Sequence, residues 1–260
     1  MQTITSIKES KSKTPLVMIT AYDALFASIF DKKVDMILVG DSLNMSFNKA
    51  PDTLSATMDI MIYHTKAVCA GAKDTFIICD MPFGTYTDER SALKNASRVY
   101  QETNAHAVKI EGGVDRAHII KELTSNSIAV MGHIGLMPQF VRSEGGYKIK
   151  GKNQENLDQL IKDAKAVEEA GAFCLVVEGV KADVVKEITD SVSIPTIGIG
   201  SGADTDGQVL VWSDAFGFFN DFQPKFVKNY LDGHKLISDA ISQYANEVKS
   251  KKFPAKEHTY

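Results

Sequence analysis

Met36-Ile37-Leu38-Val39-Gly40-Asp41-Ser42 runs an apolar stretch of strand length straight into a glycine, an acid and a hydroxyl. The same arrangement returns at Phe76-Ile77-Ile78-Cys79-Asp80, at Ala107-Val108-Lys109-Ile110-Glu111-Gly112-Gly113 and at Cys174-Leu175-Val176-Val177-Glu178-Gly179. A continuous apolar run marks a strand covered on both faces, which is the parallel-sheet case. Ligands of parallel α/β folds sit beyond the carboxyl ends of the strands. Four strands that each end in ionisable groups therefore describe a site at one rim of a parallel sheet.

Working outward, further apolar strand candidates lie near 15–20, 35–40, 76–80, 106–110, 128–132, 173–178, 194–199 and 209–217. Helix-period segments separate them, among them Ala24 to Asp31, Ala92 to Thr103, Asp115 to Ser125 and Asn156 to Ala170. Eight alternating units in a uniform chain of 260 residues predict one domain, an α/β fold of the (β/α)8 TIM-barrel type. Gln223 to Val248 reads as a helical tail. The polar, glycine-bearing stretch 139–154 follows the fifth strand and reads as a candidate lid, or as a plain connecting loop.

Composition narrows the function. A formal net charge of −4 gives no reason to expect nucleic acid or an anionic membrane. No apolar run approaches the ~20 residues of a spanning helix, and the first residues do not resemble a signal peptide. Cys69, Cys79 and Cys174 are odd in number, widely spaced and set among apolar residues. They read as reduced core residues, so the expected compartment is the cytoplasm.

Asp41 and Asp80 end neighbouring strands roughly 5 Å apart, so their carboxylates can converge, with Glu111 nearby. Crowded carboxylates repel unless a cation is present, and oxygen-only ligation suits Mg²⁺. The alternative is that each acid caps the following helix. Lys109 and Glu111 are two apart on one strand and point to the same side. A lysine there needs an ion pair with Glu111 or a bound anion; a Schiff-base role is a third option. Glu178 suits a general base that is not a metal ligand. His133 contacts substrate, orients Glu178, or is structural. Ile197-Gly198-Ile199-Gly200-Ser201-Gly202 allows close approach of an anion or makes a tight turn.

Thr20-Ala21-Tyr22-Asp23, Val39-Gly40-Asp41-Ser42-Leu43, Tyr63-His64-Thr65, Lys109-Ile110-Glu111-Gly112-Gly113, Met131-Gly132-His133-Ile134-Gly135-Leu136, Gly145-Gly146-Tyr147 and Ile197-Gly198-Ile199-Gly200 form an ordered set. Together they resemble the ketopantoate hydroxymethyltransferase family, from about Thr14 to the Phe253-Pro254 tail. The resemblance implies a barrel of the phosphoenolpyruvate/pyruvate superfamily, assembled as a homodecamer on the route to pantothenate. It implies transfer of a one-carbon unit from 5,10-methylenetetrahydrofolate to 3-methyl-2-oxobutanoate, giving 2-dehydropantoate through a Mg²⁺-stabilised enolate. Carried over by motif, Asp41 and Asp80 bind Mg²⁺, Glu111 belongs to its shell, and Asp41, Ser42, Asp80 and Lys109 form the keto-acid site. Glu178 becomes the proton acceptor. The chain departs from the family pattern at Asn44, Ser201 and Met81-Pro82-Phe83-Gly84-Thr85, none of them a proposed ligand. A related lyase or mutase of the superfamily and a keto-acid-binding sensor are the rival readings; a sensor needs no base at Glu178.

Overall fold

A computed structural model describes residues 1–219 and 223–260. Among the described residues, eight parallel strands close a barrel in chain order. They are β1 (Leu16–Thr20), β2 (Met36–Val39), β3 (Phe76–Asp80), β4 (Ala107–Glu111), β5 (Val130–Gly135), β6 (Cys174–Glu178), β7 (Thr196–Ile199) and β8 (Gly207–Leu210). The fold is thus the expected (β/α)8 barrel.

Strand periodicity of two explains how one sequence makes both the core and the site. Leu16, Met18, Met36, Leu38, Phe76, Ile78, Ala107, Met131, Cys174, Val176, Ile197 and Val209 form one buried cluster that fills the barrel. Two residues further along those columns stand Asp80, Lys109, His133 and Glu178, with Glu111 two beyond Lys109. In β3, β4, β5 and β6 apolar side chains occupy the lower part of the inward column and ionisable ones its upper part. The intervening residues, such as Ile37, Val39, Ile77, Val108, Ile110 and Leu175, are also buried, which is why the runs read as continuously apolar. Ile7 of the helix Ile4–Glu9 joins the barrel cluster.

Helices follow the expected segments with small shifts set by their caps. Asp23 accepts from Phe26 N ahead of Ala24–Phe30, Asp88 from Ser91 N ahead of Glu89–Glu102, and Asn153 from Asn156 N ahead of Gln154–Glu169. The expected segment Asp115 to Ser125 divides into a 3₁₀ turn, Val114–Arg116, and a helix, Ala117–Ser125.

The eighth strand differs from the expected 209–217. It is Gly207–Leu210, and Trp212–Ala215 is helical. Gly207 looks like a strand breaker but sits where the barrel closes, paired with Leu16 on one side and Ile197 on the other. A Cβ there would lie 2.4 Å from the Leu16 carbonyl oxygen, so only glycine permits the closure.

The chain divides into two compact units, Met1–Val211, which holds the barrel, and Trp212–Tyr260. In the second unit the tail helix runs Gly233–Lys249, beginning later than the expected Gln223, with Asp232 accepting from Lys235 N. No helix among the described residues is long and apolar enough to cross a membrane.

Candidate active site

Asp80 and Lys109 are register partners on β3 and β4, and both are buried. Lys109 Nζ lies 2.5 Å from Asp80 Oδ1. The sequence suggested Glu111 or an anion as the partner of Lys109. Residues two apart along a strand are separated by about 6.6 Å, whereas a neighbouring strand is about 5 Å away, so the cross-strand acid wins. Burial pushes the Lys109 ammonium toward deprotonation, but Asp80, Glu111 and Asp41 overcome this and hold its pKa above the usual value.

Asp41 follows β2 and is also buried. Its backbone N–H donates to Asp80 Oδ2 at 3.1 Å, which ties the two acids together. Gly40 allows the approach, since a Cβ there would lie 2.8 Å from Ser42 Oγ and 3.5 Å from Asp80 Oδ2. Burial, followed by repulsion from Asp80 and Glu111, raises the Asp41 pKa well above the usual carboxylate value. Burial raises that of Asp80 as well, with Lys109 opposing. Neither acid caps a helix. Ser42 heads Leu43–Asn48 without a side-chain capping bond, and its hydroxyl instead meets Tyr22 OH at 2.8 Å.

Glu111 and His133 are register partners on β4 and β5. His133 Nδ1 lies 3.6 Å from Glu111 Oε1 and 3.3 Å from Lys109 Nζ, while its Nε2 lies 3.3 Å from Glu178 Oε2. Burial and Lys109 push the imidazole pKa down, but Glu111 and Glu178 outweigh them and raise it to about 9. Burial pushes the Glu111 carboxyl up; contact with His133, Lys109 and the Gln139 backbone reverses this, so its pKa is lowered. Glu178, with 20% of its side chain exposed, is the acid of this set most open to solvent. The structure thus brings together Asp41, Ser42, Asp80, Lys109, Glu111, His133 and Glu178.

Among the described residues, no three His, Cys, Asp or Glu side chains converge as a complete cage. Asp41 and Asp80 nevertheless present adjoining buried carboxylates, and Mg²⁺ commonly takes only one or two from the protein, the rest from water and substrate. Asp80 and Glu111 also repel a charge on Asp41, against Lys109 and the His133 imidazole, and a divalent cation would relieve that repulsion. The pair fits such an ion, with Glu111, held by His133 and Gln139, as outer support.

Sequence reasoning missed Gln139 and Tyr86. Gln139 is buried and donates from Nε2 to Asp41 Oδ2 at 2.8 Å and to the Met81 carbonyl at 3.0 Å. Its backbone N–H donates to Glu111 Oε2 at 3.0 Å, and Tyr86 OH donates to its Oε1. The only sequence signal was position: both follow strands whose ends carry the site. The rest of the 139–154 stretch is seated by several ties. Arg142 forks onto Asp52 Oδ2 at 3.1 and 3.0 Å, Lys150 N donates to the Gly179 carbonyl at 2.8 Å, and Lys150 Nζ meets Glu144 at 2.5 Å. Asn44 is buried and supports that seat, donating to the Asp52 carbonyl and to Ser55 Oγ.

Ser201 Oγ donates to the Val177 carbonyl at 2.8 Å and accepts from Val180 N at 3.1 Å. It braces the turn after β7. The three cysteines are free and buried, with the Cys79 thiol pushed up to about 12 by burial. A cavity of about 190 Å³ opens beside the rim, lined by Ile134, Met137, Lys150, Gln159 and Asp163, but it does not include the acids of the site.

A family model for ketopantoate hydroxymethyltransferase matches residues 1–256. The chain is 66% identical over 257 residues to the 3-methyl-2-oxobutanoate hydroxymethyltransferase of Aliarcobacter butzleri strain RM4018, covering 99% of this chain and 96% of that one. It is 58% identical over 258 residues to the enzyme of the same name from Helicobacter pylori strain 26695, with 99% and 96% covered. The solved phosphonopyruvate hydrolase complex with oxalate and Mg++ superposes with a TM-score of 0.65 at 11% identity, covering 99% of this chain and 93% of that one. For 2,3-dimethylmalate lyase (triclinic form) the TM-score is 0.62 at 14% identity, with 100% and 92% covered. At such low identities the two structures speak for the fold alone.

Proposed function

Because the chain belongs to the ketopantoate hydroxymethyltransferase family, we propose a route by which its barrel rim adds a one-carbon unit to a branched keto acid. The activity is hydroxymethyl transfer to 3-methyl-2-oxobutanoate, a step of pantothenate biosynthesis. The donor in our reading is 5,10-methylenetetrahydrofolate. The C3 proton leaves and C3 bonds to the donor's methylene carbon. Both C–N bonds that hold this carbon to the folate break, water supplies the hydroxyl group, and the C3 proton and the second proton of water end on the two folate nitrogens.

A bound Mg²⁺ would act as a Lewis acid toward the charge that develops on the keto acid, worth several kcal/mol. Asp41 and Asp80 would hold it and Glu111 would support it from outside. Lys109, kept cationic by Asp80, adds a fixed positive charge beside the reacting oxygens. The Ser42 hydroxyl helps to orient the acid. Glu178 takes the C3 proton on its carboxylate, with His133 Nε2 3.3 Å from its Oε2.

The observation that carries this reading is the separation of roles around His133. Asp41 and Asp80 adjoin one another, Glu111 lies on the Nδ1 side of the imidazole, and Glu178, partly open to solvent, lies on its Nε2 side. The test is NMR detection of 2-dehydropantoate from keto acid, methylenetetrahydrofolate and enzyme. Product should form with Mg²⁺ and stop with EDTA; undiminished product in EDTA contradicts the metal's role.

The same reading makes the protein a cytoplasmic homo-oligomer, with the ten subunits that the family resemblance implies. In support, helix Gly233–Lys249 leaves Leu236, Ile237, Ile241, Tyr244 and Val248 exposed on one stripe.

A further inference from the structure

Gln139 joins the carboxyl ends of four strands. Its backbone reaches Glu111 at the end of β4, and its amide reaches Asp41 after β2 and both Met81 and Tyr86 after β3. It is itself the first residue of the 139–154 stretch after β5. Both amide protons find acceptors and the amide oxygen finds a donor, so the orientation of the group is determined. A flipped amide would set its oxygen against the Asp41 carboxylate and the Met81 carbonyl.

We propose that Gln139 is a positioning residue that couples the seating of 139–154 to cation binding at Asp41. The amide occupies Oδ2 of Asp41 and so selects the oxygen left for a cation. Lifting the stretch withdraws that amide and frees the carboxylate to rotate. By reciprocity, a cation that favours the positioned carboxylate favours the seated stretch by the same factor. The proposal rests on the metal reading above, and its test separates the two.

Full-length protein stripped with EDTA is titrated with Mn²⁺ alone, followed by electron paramagnetic resonance. In parallel, trypsin cleavage at Arg142, Lys148, Lys150 and Lys152 is timed with and without Mn²⁺. Wild type should bind the ion and be cut more slowly when it is bound. Gln139→Leu should bind about tenfold more weakly, within the usual range of such couplings, and saturating Mn²⁺ should no longer slow its cleavage. Tyr86→Phe leaves Gln139 in place and removes one bond, so a smaller loss, about threefold, is expected; it carries the test if Gln139→Leu fails to fold. Wild-type Mn²⁺ affinity in the folded variants overturns the coupling. So does cleavage that rises equally with and without the ion, the mark of a purely structural role. A wild type that binds no Mn²⁺ overturns the metal reading and the coupling together.

Discussion

Replacing Lys109 with methionine tests the electrostatic core of the site, because the new side chain keeps the length and removes the charge. Lys109 and Asp80 are both nearly fully buried and 2.5 Å apart. Removing one partner of a buried pair costs about 3–5 kcal/mol, chiefly because the other charge is left uncompensated. For a chain of this size each kcal/mol moves the melting temperature by about 2–4 °C, so a fall on the order of 10 °C is expected at pH 8. The pH dependence has a definite sign. Asp41 and Asp80 already have raised pKa values, and losing Lys109 raises them further. A raised carboxyl pKa in the folded state costs stability above that pKa and restores it as the acid protonates. Lys109→Met should therefore recover part of its deficit between pH 8 and pH 5 relative to wild type. Asp80→Asn combined with Lys109→Met should cost less than the sum of the two changes. Urea denaturation at both pH values supplies the numbers. A loss below about 1 kcal/mol at pH 8, or strict additivity in the double variant, would refute the reasoning.

Glu178→Gln keeps the size of the side chain but cannot accept a proton. It should lower kcat by about 10²–10⁴-fold with little change in keto-acid binding, checked by steady-state kinetics and calorimetry; near-normal turnover would move the base elsewhere. Borohydride should trap no keto acid on the enzyme, because Lys109 is held protonated by three acids; a mass-shifted peptide containing Lys109 would instead favour Schiff-base chemistry. Analytical ultracentrifugation should find an assembly much larger than the monomer, and Ile241→Glu on the exposed helical stripe should shift it toward smaller species; a monomeric wild type would contradict the oligomer.

The parts of the fold legible in the sequence were those written in local pattern. Met36–Val39, Phe76–Asp80, Ala107–Glu111 and Cys174–Glu178 could be read because burial on both faces demands unbroken apolar runs. The acids that end them could be read because barrel sites lie at that end. The eighth strand was expected at 209–217 and begins at Gly207, whose place depends on Leu16, a residue far away in sequence that it must approach closely. Lys109 was placed on the correct side of its strand by period two, but its partner depends on the register between β3 and β4, which no local pattern records. His133 was ambiguous until β5 set it beside Glu111 and within 3.3 Å of Glu178. Gln139 was invisible for the same reason: its contact with Asp41 spans 98 positions in the chain. Asn44 shows the converse. It read as a mere departure from the family pattern, yet its buried amide braces the Asp52 segment that grips Arg142.

In the proposed reaction this rim removes the C3 proton of the keto acid with Glu178 while a cation and Lys109 steady the resulting charge. The direct measurement is ¹H NMR of 3-methyl-2-oxobutanoate in D₂O with wild-type enzyme and Mg²⁺, without folate. The C3 proton signal should disappear at a rate set by the enzyme, and EDTA or Glu178→Gln should abolish that loss. Exchange that persists undiminished in Glu178→Gln, or with the metal removed, would contradict the proposed reaction.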